Sequence, residues 1–362
     1  MTRISYADIL KGILMFSVVA AHCNVGMCIM CAPSPGIVPY TLSLWHMPLF
    51  MAIAGYFFFY SAQKRTLAGL FKTKLLAILI PFVLWGVFGN IAHNLVESRH
   101  IEPAFKYLDI SWNLWFLQSI CLCFCLGVIP DRIFRVSPCL AHCIGVLICV
   151  GLYVLPEVRP MNNYNIAYMF PFFYAGYLTN KYNLIARVKP HMIFSCLVFA
   201  IAMWIAESMG HFKEWSVWTS GTYLWGPLGF ERHLYMNCVR LAMGFFGSVG
   251  FAGLTWYVYS WIKEKKFSAS PIVRGVRCFF LRMGVFSLSV YAVQSIIVEI
   301  VFKHFMGFLY YRGYLAAIMP CNPFVYKYVY LLGAAVALSL VCLLLIAILS
   351  RVPLCRKYLL GI

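Results

Sequence analysis

The chain reads DILKGILMFSVVAAHCNVGMCIMC over residues 8–31, an apolar stretch interrupted by Asp8, Lys11 and His22. It is long enough to cross a lipid bilayer, for which a helix needs about 20 apolar residues. The apolar core of a cleavable signal peptide is shorter and is not broken early by charges. We therefore expect this stretch to remain in the protein as a membrane-spanning helix.

The composition of all 362 residues points to the same class of protein. Hydrophobic residues make up 63% and charged residues 11%, whereas soluble domains contain about 45–50% and about 25%. A soluble enzyme and a disordered chain are therefore excluded. We predict an all-α, polytopic membrane protein, a single domain over residues 1–362, with about ten transmembrane helices at roughly 8–31, 40–62, 72–95, 112–129, 139–155, 163–180, 191–209, 236–262, 283–309 and 326–350.

The net charge of +18, from 29 Lys and Arg against 11 Asp and Glu, would also suit a nucleic-acid-binding protein. The positions of the charges give a simpler explanation. Most basic residues fall at the two ends of the chain and in every second connection between the predicted spans. Because cytoplasmic loops carry an excess of Lys and Arg, we predict that both termini are cytoplasmic, and we expect no nucleic-acid partner.

The fifteen cysteines do not indicate a disulfide framework. Most lie inside apolar runs, where a free thiol behaves as a small hydrophobic group. Cys28 and Cys31 form a C-x-x-C pair, but no second Cys or His pair with zinc-finger spacing accompanies it. We predict no metal site.

Ionisable residues inside a span are costly and usually face the bundle interior or a wet cavity. At about 100° per residue, Asp8, Lys11 and His22 lie on one stripe of the first helix. Asp8 and Lys11 can form an ion pair, which either orients the helix or takes part in function. His22, about 21 Å along the axis from Asp8, is either a packed histidine or a group that transfers protons near neutral pH.

Other polar residues in apolar segments are weaker candidates. Trp45 and His46 open the second span and suit a membrane interface. Arg240 could bind a phosphate or a carboxylate with two hydrogen bonds. For Arg240, Glu207 and Glu299, the simpler interpretation is a hydrogen bond between helices.

Several stretches resemble the membrane acyltransferase 3 family. The pattern Arg3, Asp8, Lys11-Gly12 and His22 resembles the family's first helix, and HMPLF at 46–50, followed by Gly-Tyr at 55–56, resembles its second. Weaker matches follow in order along the chain: LIPFVLW at 79–85, WNLWFL at 112–117, FFYAGYL at 172–178 and SLSVY at 287–291.

The resemblance implies about ten membrane helices in a bacterial inner membrane, surrounded by membrane lipids. It implies transfer of an acyl group, commonly acetyl, from acetyl-CoA or another acyl-CoA to a hydroxyl of an extracytoplasmic polysaccharide or glycolipid. No bound cofactor is expected. The implied catalytic residues are His22, Asp8 and Arg3, and the candidates for substrate or donor binding are Lys11, His46, Lys74, Arg240, Trp115 and Gln294.

Two places depart from the family's pattern. The family often has two arginines before its third-helix LIP, where this chain has Lys74 and Ala77, and often has a late histidine where this chain has Gln294. Lys cannot bind an anion bidentately, and Gln cannot transfer a proton. The sequence leaves open whether His22 is a general base or an acyl carrier. It also leaves two alternatives, a transporter or flippase of a glycan or small anionic substrate and a non-catalytic family member.

Overall fold

The structure, a computed structural model, describes residues 5–31, 37–98, 114–155, 163–210, 224–226, 229–264, 270–312 and 329–361. In these ranges the chain is almost entirely helical and contains no strand, which confirms the prediction of an all-α protein. The helices are α1 Ser5–Cys31, α2 Ile37–Lys64, α3 Leu67–Leu70, α4 Leu76–Ser98, α5 Trp115–Ile133, α6 Pro138–Val154, α7 Asn163–Lys181, α8 Pro190–Gly210, α9 Phe230–Glu264, α10 Pro271–Val285, α11 Ser287–Ile296, α12 Lys303–Tyr311 and α13 Leu331–Leu349. Three π-helical turns, at Phe71–Leu75, Ile297–Phe302 and Cys355–Leu359, and a 3₁₀ turn at Leu184–Arg187 accompany them.

Six stretches in the described part of the chain are long and apolar enough to cross a membrane. Each of the ten predicted segments contains a helix, so the multi-pass character is supported throughout. The number of ten spans and the cytoplasmic position of the termini remain predictions. The six stretches are Ser5–Cys23, Leu67–His93, Trp115–Ile133, Phe230–Glu264, Ser287–Leu309 and Leu331–Leu349.

The predicted span at 283–309 begins later than expected, because a separate helix precedes it. The preceding connection was predicted as a basic loop, but it forms α10, with Pro271 at the helix start, where proline is well tolerated. The backbone leaves helical geometry at Phe286, and α11 starts at Ser287. The sequence did not predict α10, because its arginines were explained by a cytoplasmic position alone.

The chain divides into two compact units by its internal contacts. Unit 1 comprises Met1–Leu42, Ile80–Leu114 and Phe267–Ile362. Unit 2 comprises Ser43–Leu79 and Trp115–Lys266. The prediction of a single domain over residues 1–362 stays a prediction.

Unit 1 is organised around the direct contact of α1 with α10. A methyl group on Gly12 would overlap the backbone carbonyl of Phe280, and one on Gly284 would overlap the carbonyl of Asp8. The reversed order of these contacts shows that the two helices run antiparallel. Phe16 adds edge-to-face contact with the ring of Phe280, at 6.0 Å between centroids. Small residues thus let the two backbones meet, as is common between membrane helices.

Unit 2 contains a second glycine-mediated contact, between α2 and α7. A methyl group on Gly55 would overlap the carbonyl of Phe173, and one on Gly176 would overlap the carbonyl of Ala52. The ring of Phe58 packs beside that of Phe173, at 5.3 Å between centroids. The FFYAGYL stretch is therefore a packing motif whose glycine permits close approach of the helices.

Candidate functional site

The charged stripe predicted on the first span lies on one continuous helix, α1. Asp8 and Lys11 form an ion pair, with 2.8 Å between Oδ1 and Nζ. The Asp8 side chain is 8% exposed and the Lys11 side chain 23%. Because α1 is unbroken, His22 lies on the same face as this pair. Mutual neutralisation lowers the cost of keeping both charges in apolar surroundings.

Asp8 also marks a packing contact, because its backbone carbonyl meets Gly284 of α10. The ion pair therefore lies beside the contact between α1 and α10. Arg3, the other charged residue predicted for this end of α1, lies outside the described residues.

His22 is half-buried, and its Nδ1 atom is enclosed by the protein. Val18, Val19 and Cys23, which are close to it on α1, are buried. The ring is thus neither sealed in the core nor fully exposed.

Gln294 is fully buried on α11, with 0% of its surface exposed. Among the described residues, neither its amide oxygen nor its amide nitrogen has a hydrogen-bond partner. Ser339 of α13, a helix that packs against α11, has a hydroxyl in the same condition. Since buried polar groups without partners are costly, such groups commonly mark a bound water or ligand.

The remaining predicted residues lie in unit 2, on separate elements. His46 is buried on α2, and Trp115 is half-buried as the first residue of α5. Lys74 is half-buried in the π-helical turn Phe71–Leu75. Next to it, the hydroxyl of Thr73 accepts a hydrogen bond from the Arg65 guanidinium. Three cationic side chains, Arg65, Lys72 and Lys74, therefore lie in or beside this turn.

Arg240 is buried on α9 as part of a polar stripe that the sequence did not reveal. Asn237 and His233 are buried on the same face, one and two turns earlier, and Asn237 Nδ2 donates to the His233 carbonyl at 3.0 Å. Tyr168 of α7 donates its hydroxyl to the Arg240 carbonyl at 3.3 Å. The predicted span started at residue 236, so His233 was assigned to a loop. The helix in fact begins at Phe230, so His233, Asn237 and Arg240 lie at positions i, i+4 and i+7 of one helix.

Some predicted candidates cannot be placed. The side chains of Cys28, Cys31, Glu207 and Glu299 lie outside the part of the chain that the structure describes. Within that part, no three His, Cys, Asp or Glu side chains converge in a way that could hold a metal ion.

The fold and the site define a class of protein. It is a polytopic helical membrane protein whose first helix carries an ion pair and a histidine on one face. The profile of the acyltransferase 3 family, described as an acyltransferase domain, matches residues 4–349. The chain therefore belongs to the membrane acyltransferase 3 family.

One curated relative gives a second comparison. Nodulation protein NolL of Sinorhizobium fredii (strain NBRC 101917 / NGR234) is 26% identical over 214 residues, which cover 53% of this chain and 54% of the relative. The chain thus spans about half the length of this relative. No solved structure matches the chain.

Proposed function

We propose that the protein is an integral-membrane O-acyltransferase of the bacterial inner membrane. It moves an acyl group, acetyl in the simplest case, from an acyl-CoA to a hydroxyl of an extracytoplasmic polysaccharide or glycolipid. Family membership over nearly the whole chain supports the acyltransferase activity. The observation that carries the mechanism is a half-buried His22 on the same face of α1 as the Asp8–Lys11 ion pair.

In the first mechanism, His22 is the general base. Its imidazole accepts the proton of the acceptor hydroxyl while the hydroxyl oxygen attacks the thioester carbonyl carbon. The new ester bond forms, the carbon–sulfur bond breaks, and the departing thiolate of CoA takes the proton from the imidazolium. Asp8 and Lys11 neutralise each other on α1 during these steps.

In the second mechanism, His22 carries the acyl group. A ring nitrogen attacks the thioester, the carbon–sulfur bond breaks, and the departing thiolate of CoA takes the ring N–H proton, which leaves a neutral acyl-imidazole. The acceptor hydroxyl then attacks this acyl group, gives up its proton and restores the free imidazole. This order would carry the group from a cytosolic donor to an acceptor outside the cytoplasm.

The donor's phosphates would bind to the basic residues near the π-helical turn Phe71–Leu75. Lys74 is half-buried there and Arg65 is exposed nearby. An ammonium group attracts phosphate as a point charge, without the two-point grip of a guanidinium. The negative charge that develops on the thioester oxygen also requires fixed hydrogen-bond donors.

The test compares His22→Ala with His304→Ala in membrane vesicles. His304 is a matched control, because it lies on α12 of unit 1 and its Nδ1 is 2.7 Å from the Ile300 carbonyl of its own helix turn. Vesicles would receive radiolabelled acetyl-CoA and surface glycan from the producing strain. We expect His22→Ala to lower acylation at least roughly 100-fold at normal expression, and His304→Ala to retain it.

The outcomes separate the alternatives. Undiminished acylation in His22→Ala would reject the role of this histidine. Movement of glycan across the wild-type membrane without any covalent change would favour a transporter or flippase. A wild-type protein that acylates no glycan at all would identify a non-catalytic member of the family.

A further inference from the structure

Three helices of unit 2 bring buried polar side chains together at one end. Tyr153 lies one residue before the end of α6, Tyr168 lies in the second turn of α7, and Arg240 lies in the third turn of α9. With His233 and Asn237 they form what we call the α9 cluster. The end of one helix and the starts of two others meet here, so the cluster lies at one surface of the helix assembly.

The chemistry of the α9 cluster suits an anion that also carries hydroxyls. Tyr153 and Tyr168 lie near Arg240, and the enclosed Tyr153 hydroxyl has no hydrogen-bond partner among the described residues. A guanidinium offers five donors in a planar fork that matches carboxylate or phosphate. An arginine in an apolar span is costly, which favours a functional reason for its position.

A short segment, residues 224–226, contacts His233 of the cluster and presents an aromatic ring. A methyl group on Gly226 would overlap the ring of His233, so the backbone of this segment contacts the cluster. The neighbouring Trp225 donates its indole N–H to the Val154 carbonyl at 3.2 Å and packs on Phe230 at 5.2 Å between centroids. Its side chain is held in place and still 54% exposed. Binding pockets for small molecules typically combine such aromatic surfaces with a few placed polar groups.

The predicted topology places this end of unit 2 outside the cytoplasm, in the compartment of the acceptor. The connections 156–162 and 211–229 contain few basic residues, in contrast to those that precede and follow them. By the positive-inside rule they lie outside the cytoplasm. The α9 cluster therefore faces the compartment of the glycan, on the side away from a cytosolic acyl-CoA.

We infer that the α9 cluster is the acceptor site and that it binds a sugar bearing a carboxylate or a phosphate. Arg240 binds the anionic group, and the hydroxyl of Tyr153 bonds to the sugar. Trp225 provides the surface on which the sugar ring lies. This inference rests on the proposed function and assigns its acceptor class.

The test measures binding by the purified full-length chain in detergent. The probes are trigalacturonate, glucose 1-phosphate, neutral maltotriose, inorganic phosphate and acetyl-CoA. The variants are Arg240→Gln, Arg240→Lys and Tyr153→Phe, and the control is Arg232→Gln, an exposed arginine on the same helix. Tyr153→Phe, which keeps the ring, and Arg240→Lys, which keeps the charge, remain informative if Arg240→Gln fails to fold.

We expect the wild type to bind one of the two sugar anions better than maltotriose and inorganic phosphate. Which anion it binds distinguishes the carboxylate from the phosphate. Arg240→Gln should weaken that binding by roughly tenfold to 100-fold, as for loss of a hydrogen bond to a charged group. Tyr153→Phe should weaken it severalfold, Arg240→Lys should fall between wild type and Arg240→Gln, and Arg232→Gln should match the wild type.

Four results would overturn the acceptor site. They are no binding of either sugar anion by the wild type, equal binding of maltotriose, equal binding of inorganic phosphate, and unchanged sugar binding in Arg240→Gln. Loss of acetyl-CoA binding alone in Arg240→Gln would assign the cluster to the donor and also overturn it. His22→Ala should still bind the sugar. A wild-type chain that binds the sugar but transfers no acyl group would refute only the proposed function.

Discussion

At the scale of single residues, Gln294 combines full burial with an amide that has no hydrogen-bond partner in the described part of the chain. Folding gains nothing from such a group, because its desolvation is not compensated. Its retention therefore favours a role in binding substrate or an ordered water.

We predict that Gln294→Leu makes the protein more stable and less active. Removing the buried amide should raise the free energy of unfolding by about 1–2 kcal/mol, while acetyl transfer in vesicles falls severalfold. Ser295→Ala is the matched control, since the Ser295 hydroxyl already donates to the Ala292 carbonyl at 2.7 Å. Thermal unfolding of the purified protein gives the stability. A stable variant with full activity would show that Gln294 only fills space.

Predictions about single residues succeeded where the residues concerned are neighbours on the same helix. The stripe of Asp8, Lys11 and His22 follows from helical periodicity alone, and the ion pair between the first two is present. The missing partner of Gln294 depends on α11 and α13, which are distant along the chain. The placement of Tyr168 at the Arg240 carbonyl likewise depends on how α7 meets α9, which no local pattern contains.

At the scale of elements, the contact of α1 with α10 was hidden from the sequence. Gly12 and Phe280 are far apart along the chain, and α10 falls in a region that charge counting explained as a loop. This helix packs on a neighbour that is distant in the sequence, because its later turns, around Phe280 and Gly284, contact α1. Because the backbones of α1 and α10 touch directly at Gly12 and Gly284, neither position has room for a side chain.

We predict that Gly12→Ala destabilises unit 1, whereas Gly275→Ala does not. A methyl group at Gly12 meets the Phe280 backbone, which cannot move aside as a side chain would, so the helices must separate at a cost of about 1–3 kcal/mol. Gly275 lies on α10 with nothing within 4 Å of the added methyl, and alanine there gains up to about 1 kcal/mol of helix propensity. Thermal unfolding checks both variants, and equal stability of the two would contradict direct backbone contact.

At the scale of the whole molecule, the number of spans decides which side of the membrane each site faces. Six stretches satisfy length and composition in the described residues, and α6 is among the shorter apolar helices. Its 17 residues extend about 25 Å, slightly less than the roughly 30 Å of the hydrocarbon core. Charge placement nevertheless favours a crossing by α6, since Arg132 and Arg135 precede it and the following connection contains a single basic residue, Arg159.

We predict that alkaline phosphatase fused after Leu155 is active and that green fluorescent protein fused at the same point is dark. The reverse should hold after Lys189 and after Ile362, because the predicted spans return the chain to the cytoplasm at both points. Phosphatase folds to its active form outside the cytoplasm and the fluorescent protein inside it, so each fusion pair checks the other. A fluorescent fusion after Leu155 would show that α6 does not cross the membrane, which would leave an odd number of spans before Lys189. The α9 cluster would then lie on the side of the acyl-CoA, where an acceptor outside the cytoplasm cannot reach it.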